Sequence, residues 1–158
     1  MSPHTVSKLS VLVVDDEPEL LKLIDHFLWY HGFVVDTVDS GRDALSAMAA
    51  IKYDVVLCDK NLPDIHGLQV LVHARRLQPH AAVVLMTAWP ELVSLRDLDL
   101  DGYLPKPFRS GQDLADSLRE AVERKARRSG QVPASTTEDS RAPTPLRATP
   151  TASPPRRN

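Results

Sequence analysis

Residues 53–67, YDVVLCDKNLPDIHG, decide the fold, because here a short apolar run ends on an acid and the chain then turns. Residues 55–58 are four consecutive apolar side chains bounded by charge, a pattern typical of a strand in a parallel sheet that is covered on both faces. Asp59 stands at the carboxyl end of this strand, where open α/β sheets build their sites. Asp also begins turns, so this stretch alone leaves a functional carboxylate and a turn residue about equally expected.

Four further apolar runs along the chain predict strands. They are residues 9–14, 33–38, 81–86 and 102–104. Segments with apolar residues at three- and four-residue spacing separate the runs and predict helices. This alternation is typical of an α/β protein with a doubly wound, five-stranded parallel sheet, and we expect the flavodoxin-like strand order 2-1-3-4-5.

Five helices are predicted from start signals and apolar spacing. The first begins at Pro18, the second is capped by Ser40, the third begins at Gly67 and the last is capped by Ser110. The fourth, at residues 91–99, is short. The first three helices are predicted to turn these apolar residues inward: Leu20, Leu23, Ile24, Phe27, Leu28, Ala44, Ala47, Met48, Ile51, Leu68, Leu71 and Val72.

The 158-residue chain has 25% charged and 42% hydrophobic residues, which fits one folded domain with appendages. We predict a flexible lead at residues 1–7, a folded domain at residues 8–128, and a tail at residues 129–158 that is disordered because it is rich in Pro, Ser, Thr and Arg without apolar periodicity. The single cysteine, Cys58, excludes a disulfide framework, and no apolar stretch approaches the roughly 20 residues of a membrane span. We therefore expect a cytoplasmic protein without membrane insertion.

Charge is unevenly distributed along the chain. Residues 1–128 carry 15 Lys and Arg against 19 Asp and Glu, whereas residues 129–158 carry 4 against 2. Binding of nucleic acid requires a basic surface that displaces counterions from phosphates. The acidic balance of the folded part therefore argues against direct binding of nucleic acid.

Chemically useful residues follow four of the predicted strands. Asp15 and Asp16 follow the first strand, Asp59 the third, Thr87 the fourth and Lys106 the fifth. Because the carboxyl ends of parallel strands meet at one edge of a sheet, we expect these residues to converge. With the motifs VLVVDDEP at 11–18, DKNLPDIHG at 59–67, MTA at 86–88 and YLPKPF at 103–108, the chain resembles the CheY-like receiver domain of two-component response regulators over about residues 8–127.

The resemblance implies a Mg²⁺ site. Asp16 and Asp59 would hold the ion directly, Asp15 would hold it through water, and the backbone carbonyl of Asn61 would complete the protein ligands. Electrostatics agrees with this set, because clustered carboxylates repel by roughly 1 kcal/mol per pair in water and by up to about 4 kcal/mol near a protein surface. A hard divalent cation relieves that repulsion, and magnesium prefers oxygen ligands.

The resemblance also implies that Asp59 is a phosphoacceptor. It would take a phosphoryl group from a sensor histidine kinase or a histidine phosphotransfer protein, while Lys106 spreads the charge of the transferring group. Thr87 would donate its hydroxyl to the bound phosphoryl group, and Tyr103 would move inward behind it as a switch. Self-catalysed phosphotransfer and autodephosphorylation are the reactions expected, so the domain is not predicted to be an enzyme for a separate substrate. The Lys106–Pro107 bond is expected to be cis, as in that family.

The sequence departs from the family pattern between Thr87 and Lys106, a step of 19 positions that is about one helical turn shorter than usual. The fourth helix is therefore predicted to be shortened. Residues 129–158 are too few and too polar for an effector domain, which predicts a stand-alone receiver that docks to an unknown downstream protein.

Two other functions fit parts of the pattern. A receiver fold retained only as a scaffold would bind its partner whether or not Asp59 is replaced by Ala. A small phosphatase of the haloacid dehalogenase type also forms an aspartyl phosphate. That class requires a second Asp as general acid two residues after the nucleophile, where this chain has Asn61.

Overall fold

Five parallel strands form one sheet in the computed structural model, which describes residues 7–89 and 99–130. The strands are β1 (Ser10–Val14), β2 (Val34–Val38), β3 (Val55–Asp59), β4 (Ala82–Thr87) and β5 (Gly102–Pro105). Their order across the sheet is β2-β1-β3-β4-β5, so the predicted flavodoxin-like order is confirmed. Each strand begins within one residue of its predicted apolar run.

Helices cover both faces of the sheet. Within the described residues they are α1 (Pro18–Tyr30), α2 (Gly41–Ala50), α3 (Gly67–Leu77) and α4 (Gly111–Arg128). Helices α1 and α4 pack on one face of the sheet and α2 and α3 on the other. Alternate residues of each strand point to opposite faces, so each strand contributes side chains to both cores. In β1, for example, Val11 and Val13 join the α1/α4 core, whereas Leu12 and Val14 join the α2/α3 core. All five residues of β3 are buried, as its unbroken apolar run predicts.

The predicted start signals are present. Pro18 is the first residue of α1. The Ser40 hydroxyl accepts a hydrogen bond from the Asp43 amide at 3.1 Å, and the Ser110 hydroxyl accepts one from the Asp113 amide at 3.1 Å. Both serines therefore cap their helices by satisfying an amide that has no partner inside the helix.

Three predicted core positions are wrong. Leu23 of α1 and Val72 of α3 are 45% and 48% exposed, and the buried residues near them are Leu21 and Val70. Several apolar residues stand close together at these places, so a three- and four-residue spacing fits more than one stripe of the helix. Ile51 is 50% exposed, because α2 ends one residue before it and the backbone there is already extended.

The short helix predicted at residues 91–99 lies outside the described residues, apart from its last position. The same holds for nearly all of the lead (1–7) and of the tail (129–158), so those predictions stay predictions. Across 7–89 and 99–130 no helix is long and apolar enough to cross a membrane. The Lys106–Pro107 peptide bond is cis, as the family resemblance implies.

Candidate functional site at the carboxyl edge of the sheet

The strand register brings the ends of four strands level with one another. The residue before Thr87 pairs with Asp59, and the residue before Lys106 pairs with Thr87. Asp15 directly follows β1, which is the other neighbour of β3. The residues predicted to converge therefore lie at one edge of the sheet, beyond the carboxyl ends of its strands.

Three carboxylates form an acidic cluster at this edge. One oxygen each from Asp15, Asp16 and Asp59 lie within 4.8 Å of one another. Asp15 is fully buried and Asp59 is 8% exposed, whereas Asp16 faces solvent. Repulsion between the two inner carboxylates is stronger than at a free surface because burial lowers the local dielectric constant. Oxygen donors at this spacing suit a hard divalent cation such as Mg²⁺.

The ammonium group of Lys106 lies between two of these carboxylates. Its Nζ is 2.6 Å from Oδ2 of Asp15 and 3.0 Å from Oδ1 of Asp59. Burial acts to lower the pKa of Lys106, but the hydrogen bonds to the two carboxylates outweigh burial and raise that pKa. Burial also raises the pKa of Asp59, against the lowering effect of Lys106. Three carboxylates and one ammonium group leave an excess of two negative charges when all are ionised.

Both oxygens of Asp15 are held in place. Oδ1 accepts a hydrogen bond from the Glu17 amide at 2.9 Å, just before α1, while Oδ2 accepts the one from Lys106. The Asp15 amide donates to the Val38 carbonyl at 3.2 Å, which ties this position to β2. Asp15 is therefore both a turn-forming residue and a member of the cluster, so these two interpretations of a strand-end acid do not exclude each other.

Thr87 ends β4 and is 3% exposed. Its Oγ1 accepts a hydrogen bond from the Trp89 amide at 3.1 Å, which leaves the hydroxyl proton available for another acceptor. The Lys106 amide donates a hydrogen bond to the Thr87 carbonyl at 2.9 Å, so the backbones that carry the amine and the hydroxyl are hydrogen-bonded to each other at this edge of the sheet. Tyr103 lies opposite Leu85 in the register and packs against the α2/α3 core, on the face to which Thr87 also alternates.

The loop after Asp59 is tied back to the strand ends. The Lys60 amide donates to the Met86 carbonyl at 3.1 Å, and the Gly67 amide donates to the Lys60 carbonyl at 2.9 Å. A Cβ on Gly67 would lie 1.9 Å from the Asp59 carbonyl oxygen, so only glycine permits this approach of helix to strand. Asn61 is exposed on this loop, and the use of its carbonyl as a metal ligand stays a prediction.

Sequence reasoning missed two carboxylates that the fold uses. Asp64 accepts hydrogen bonds from the Arg42 and Gly41 amides at the start of α2, both at 2.9 Å, and these bonds lower its pKa. Asp101 is 2% exposed and accepts a hydrogen bond from the Val83 amide at 2.8 Å, while its burial raises its pKa. The position of Asp64 after a proline in a turn is a signal for a capping acid. The acid-rich stretch before β5 gives no signal that Asp101 is buried.

Comparison with known proteins finds similar chains. A family model described as the response regulator receiver domain matches residues 11–119. The transcriptional regulatory protein TcrA of Mycobacterium tuberculosis is 40% identical over 107 residues, which cover 65% of this chain and 42% of that protein. The transcriptional regulatory protein KdpE of the same species is 39% identical over 116 residues, which cover 72% and 51%. The chain spans about half the length of the curated relatives that it matches.

Solved structures of similar fold include two bacterial response regulators. The chemotaxis response regulator CheY4 of Vibrio cholerae matches with a TM-score of 0.67 and 26% identity, over 73% of this chain and 99% of that one. The response regulator TrrA of Thermotoga maritima, solved in complex with Mg(2+)-BeF, matches with a TM-score of 0.65 and 31% identity, over 73% and 99%. In both cases nearly the whole neighbour is matched, so the likeness extends over their entire domain.

Proposed function

The chain belongs to the response regulator receiver domain family, and from that premise we propose that Asp59 accepts a phosphoryl group from a phosphohistidine. The donor would be a sensor histidine kinase or a histidine phosphotransfer protein. The observation that carries the proposal is the Lys106 ammonium group, which lies 3.0 Å from Asp59 and 2.6 Å from Asp15, although Lys106 and Asp15 are 91 positions apart. This arrangement places a positive charge beside the oxygen where phosphoryl charge would develop.

The proposed transfer is a substitution at phosphorus. A carboxylate oxygen of Asp59 forms the new O–P bond while the P–N bond of the phosphohistidine breaks, and the electron pair of that bond returns to the imidazole. Lys106 stabilises the charge on the phosphoryl oxygens. Bound Mg²⁺ would supply further neutralisation of those oxygens. Asp16 and Asp59 would hold the ion directly, Asp15 through water, and the Asn61 carbonyl would be the remaining protein ligand.

The proposed switch runs through Thr87 and Tyr103. The Thr87 hydroxyl proton is available, and its donation to a phosphoryl oxygen on Asp59 would draw the side chain toward the cluster and away from the Trp89 amide. Tyr103 packs on the same face of the sheet and would follow inward. The phosphoryl group would thereby favour one of two states of this edge through its differential contacts.

The proposed output is a change in binding to a downstream protein in the cytoplasm. The acidic balance of residues 1–128 supports a protein partner, because a surface of that charge does not suit a phosphate backbone. The proposed chemistry is confined to transfer onto Asp59 and hydrolysis of the resulting acyl phosphate. The domain is therefore not proposed to turn over a separate substrate.

Incubation with acetyl phosphate and Mg²⁺, followed by mass spectrometry of the intact protein, tests this proposal. The wild type should gain the mass of one phosphoryl group, and the gain should vanish in EDTA and in Asp59→Ala. Asp25→Ala is the matched control, since it removes an exposed acid of α1, and it should keep the gain. A gain that persists in Asp59→Ala, or a wild type that gains nothing, would refute the proposal.

A further inference from the structure

A carboxylate of the β3–α3 loop completes the end of a different helix. Oδ1 of Asp64 accepts a hydrogen bond from the Gly41 amide and Oδ2 accepts one from the Arg42 amide, both at 2.9 Å. Oδ1 also accepts a hydrogen bond from the Ile65 amide at 2.9 Å, within the loop itself. Asp64 therefore fastens this loop to the first turn of α2, which lies more than 20 positions earlier in the chain.

The first turn of α2 depends on this contact. Ser40 caps the Asp43 amide at 3.1 Å, and Asp64 supplies acceptors for the two amides before it, which have no partner inside the helix. The positive end of the helix dipole favours a carboxylate at the same place. A Cβ on Gly41 would lie 2.9 Å from Cβ of Ile65 and 3.3 Å from Oδ1 of Asp64. The close approach of the loop to the helix therefore requires glycine at position 41.

The same loop borders the acidic cluster. Lys60, its first residue, donates its amide to β4, and Gly67, at its end, donates back to the Lys60 carbonyl. The contact of Asp64 with α2 is a third anchor. Asn61 lies between the anchor at Lys60 and the anchor at Asp64, one residue beyond the former. The backbone at Asn61 thus runs between an anchor one residue before it, at Lys60, and an anchor three residues after it, at Asp64.

We propose that Asp64 is a positioning residue for the metal and phosphoryl site, acting through the loop that carries Asn61. This inference rests on the proposed function of Asp59. Mg²⁺ demands near-ideal octahedral geometry, so a small displacement of one ligand weakens binding. Loss of a partner that orients a metal ligand typically costs 10- to 100-fold in affinity. Asp64 orients a backbone segment rather than a ligand side chain, so the expected loss is smaller, about three- to tenfold.

Calorimetric titration with Mg²⁺ alone tests the inference. Asp64→Ala should weaken binding by about three- to tenfold. Asp64→Asn should weaken it less, because the amide oxygen still accepts hydrogen bonds at the Oδ1 position. Ser40→Ala is the matched control for helix stability, since it removes the other cap of α2 without touching the loop. Asp43→Asn is the matched control for charge, since it removes an acid of the same turn. Both controls should bind Mg²⁺ like the wild type.

Coupling between the ion and α2 must be reciprocal, so a second measurement uses the wild type itself. Mg²⁺ should slow hydrogen exchange of the Gly41 and Arg42 amides in the wild type and in Ser40→Ala. This slowing should be lost in Asp64→Ala. If Asp64→Ala does not fold, the slowing should be reduced in Asp64→Asn. An Asp64→Ala protein that binds Mg²⁺ as tightly as Ser40→Ala would overturn the inference, as would exchange that ignores Mg²⁺. A wild type that binds no Mg²⁺ would overturn the proposed function and this inference together. A wild type that binds Mg²⁺ while Asp64→Ala binds it equally tightly would overturn this inference alone.

Discussion

Replacing Asp16 by Asn should stabilise the protein when Mg²⁺ is absent. The Asp16 carboxylate lies within 4.8 Å of those of Asp15 and Asp59, and Lys106 already contacts both of these partners. At that separation each repulsion amounts to about 0.9 kcal/mol at the dielectric constant of water and about 3.5 kcal/mol at an effective value of 20. Lys106 contacts both of these partners, so we take for its distance from Asp16 the same value as for the carboxylates; its attraction then offsets roughly one of the two repulsions and leaves the equivalent of one unopposed pair.

The exposure of Asp16 sets the size of the effect. The aqueous figure applies because this side chain faces solvent. The substitution also removes an acid just before α1, where the helix dipole favours negative charge by about 0.3 kcal/mol. The expected rise in the free energy of unfolding is therefore about 0.5 to 1 kcal/mol, which corresponds to roughly 2 to 5 °C in Tm for a domain of this size.

Differential scanning calorimetry in EDTA measures this rise. Asp25→Asn is the matched control, because it removes an exposed acid of α1 outside the cluster, and its Tm should stay close to that of the wild type. Adding Mg²⁺ should reverse the order of wild type and Asp16→Asn, because the wild type would gain stability from binding the ion through its proposed ligands and the variant would lack one of them. A Tm of Asp16→Asn equal to or below that of the wild type in EDTA would refute the reasoning that these carboxylates repel one another in the folded protein.

Three other substitutions test the surroundings of the cluster. Gly67→Ala would place a Cβ 1.9 Å from the Asp59 carbonyl oxygen, so denaturant unfolding should show a loss of about 1 to 3 kcal/mol or more. Burial raises the pKa of Asp59, so protonation of this carboxyl stabilises the folded protein at acid pH, and that stabilisation is lost as pH rises through the raised pKa. In EDTA, the free energy of unfolding of the wild type minus that of Asp59→Asn should therefore fall as pH rises across that range. Asp101→Ala would leave the buried Val83 amide without its acceptor and would remove one of the two ion-pair partners of Arg128, which keeps Asp99; the loss should be about 1 to 3 kcal/mol in the same unfolding assay.

A specific result would contradict each of these three predictions. Wild-type stability in Gly67→Ala would mean that the start of α3 does not abut the end of β3. A stability difference for Asp59→Asn that is constant with pH would mean that burial does not perturb this carboxyl. For Asp101→Ala, the comparison is Asp116→Ala, which removes an exposed acid of α4; equal stabilities of the two variants would mean that Asp101 is not a buried acceptor.

The sheet and the convergence of the site were predictable because they depend on local patterns and on one rule of topology. The unbroken apolar run of β3 marked a strand that is buried on both faces, and the alternation of runs with helical spacing predicted a parallel sheet. Once the strands are parallel, the residues after them must share an edge. The proximity of Asp15, Asp59 and Lys106 follows from that rule without any knowledge of side-chain contacts.

The details that the sequence did not predict depend on contacts between distant segments. Leu21 is buried in place of Leu23 because the packing of α1 on the sheet, rather than its own spacing, selects among neighbouring apolar stripes. The role of Asp64 depends on the start of α2, and that helix is brought beside the loop only when the sheet forms. Asp101 is similar, since its acceptor oxygen meets the Val83 amide only in the β4–β5 register.

The ammonium group of Lys106 within the acidic cluster determines which charge of metal ion would balance the charge of the site. Three carboxylates and Lys106 together leave two negative charges, which a divalent ion balances. Lys106→Met would leave three, and a trivalent ion would then be the matched one. That variant should therefore bind a lanthanide ion such as Tb³⁺ more tightly than the wild type does, and Tb³⁺ luminescence would measure occupancy of the site. Mg²⁺ and Ca²⁺ should displace Tb³⁺ less effectively from the variant than from the wild type.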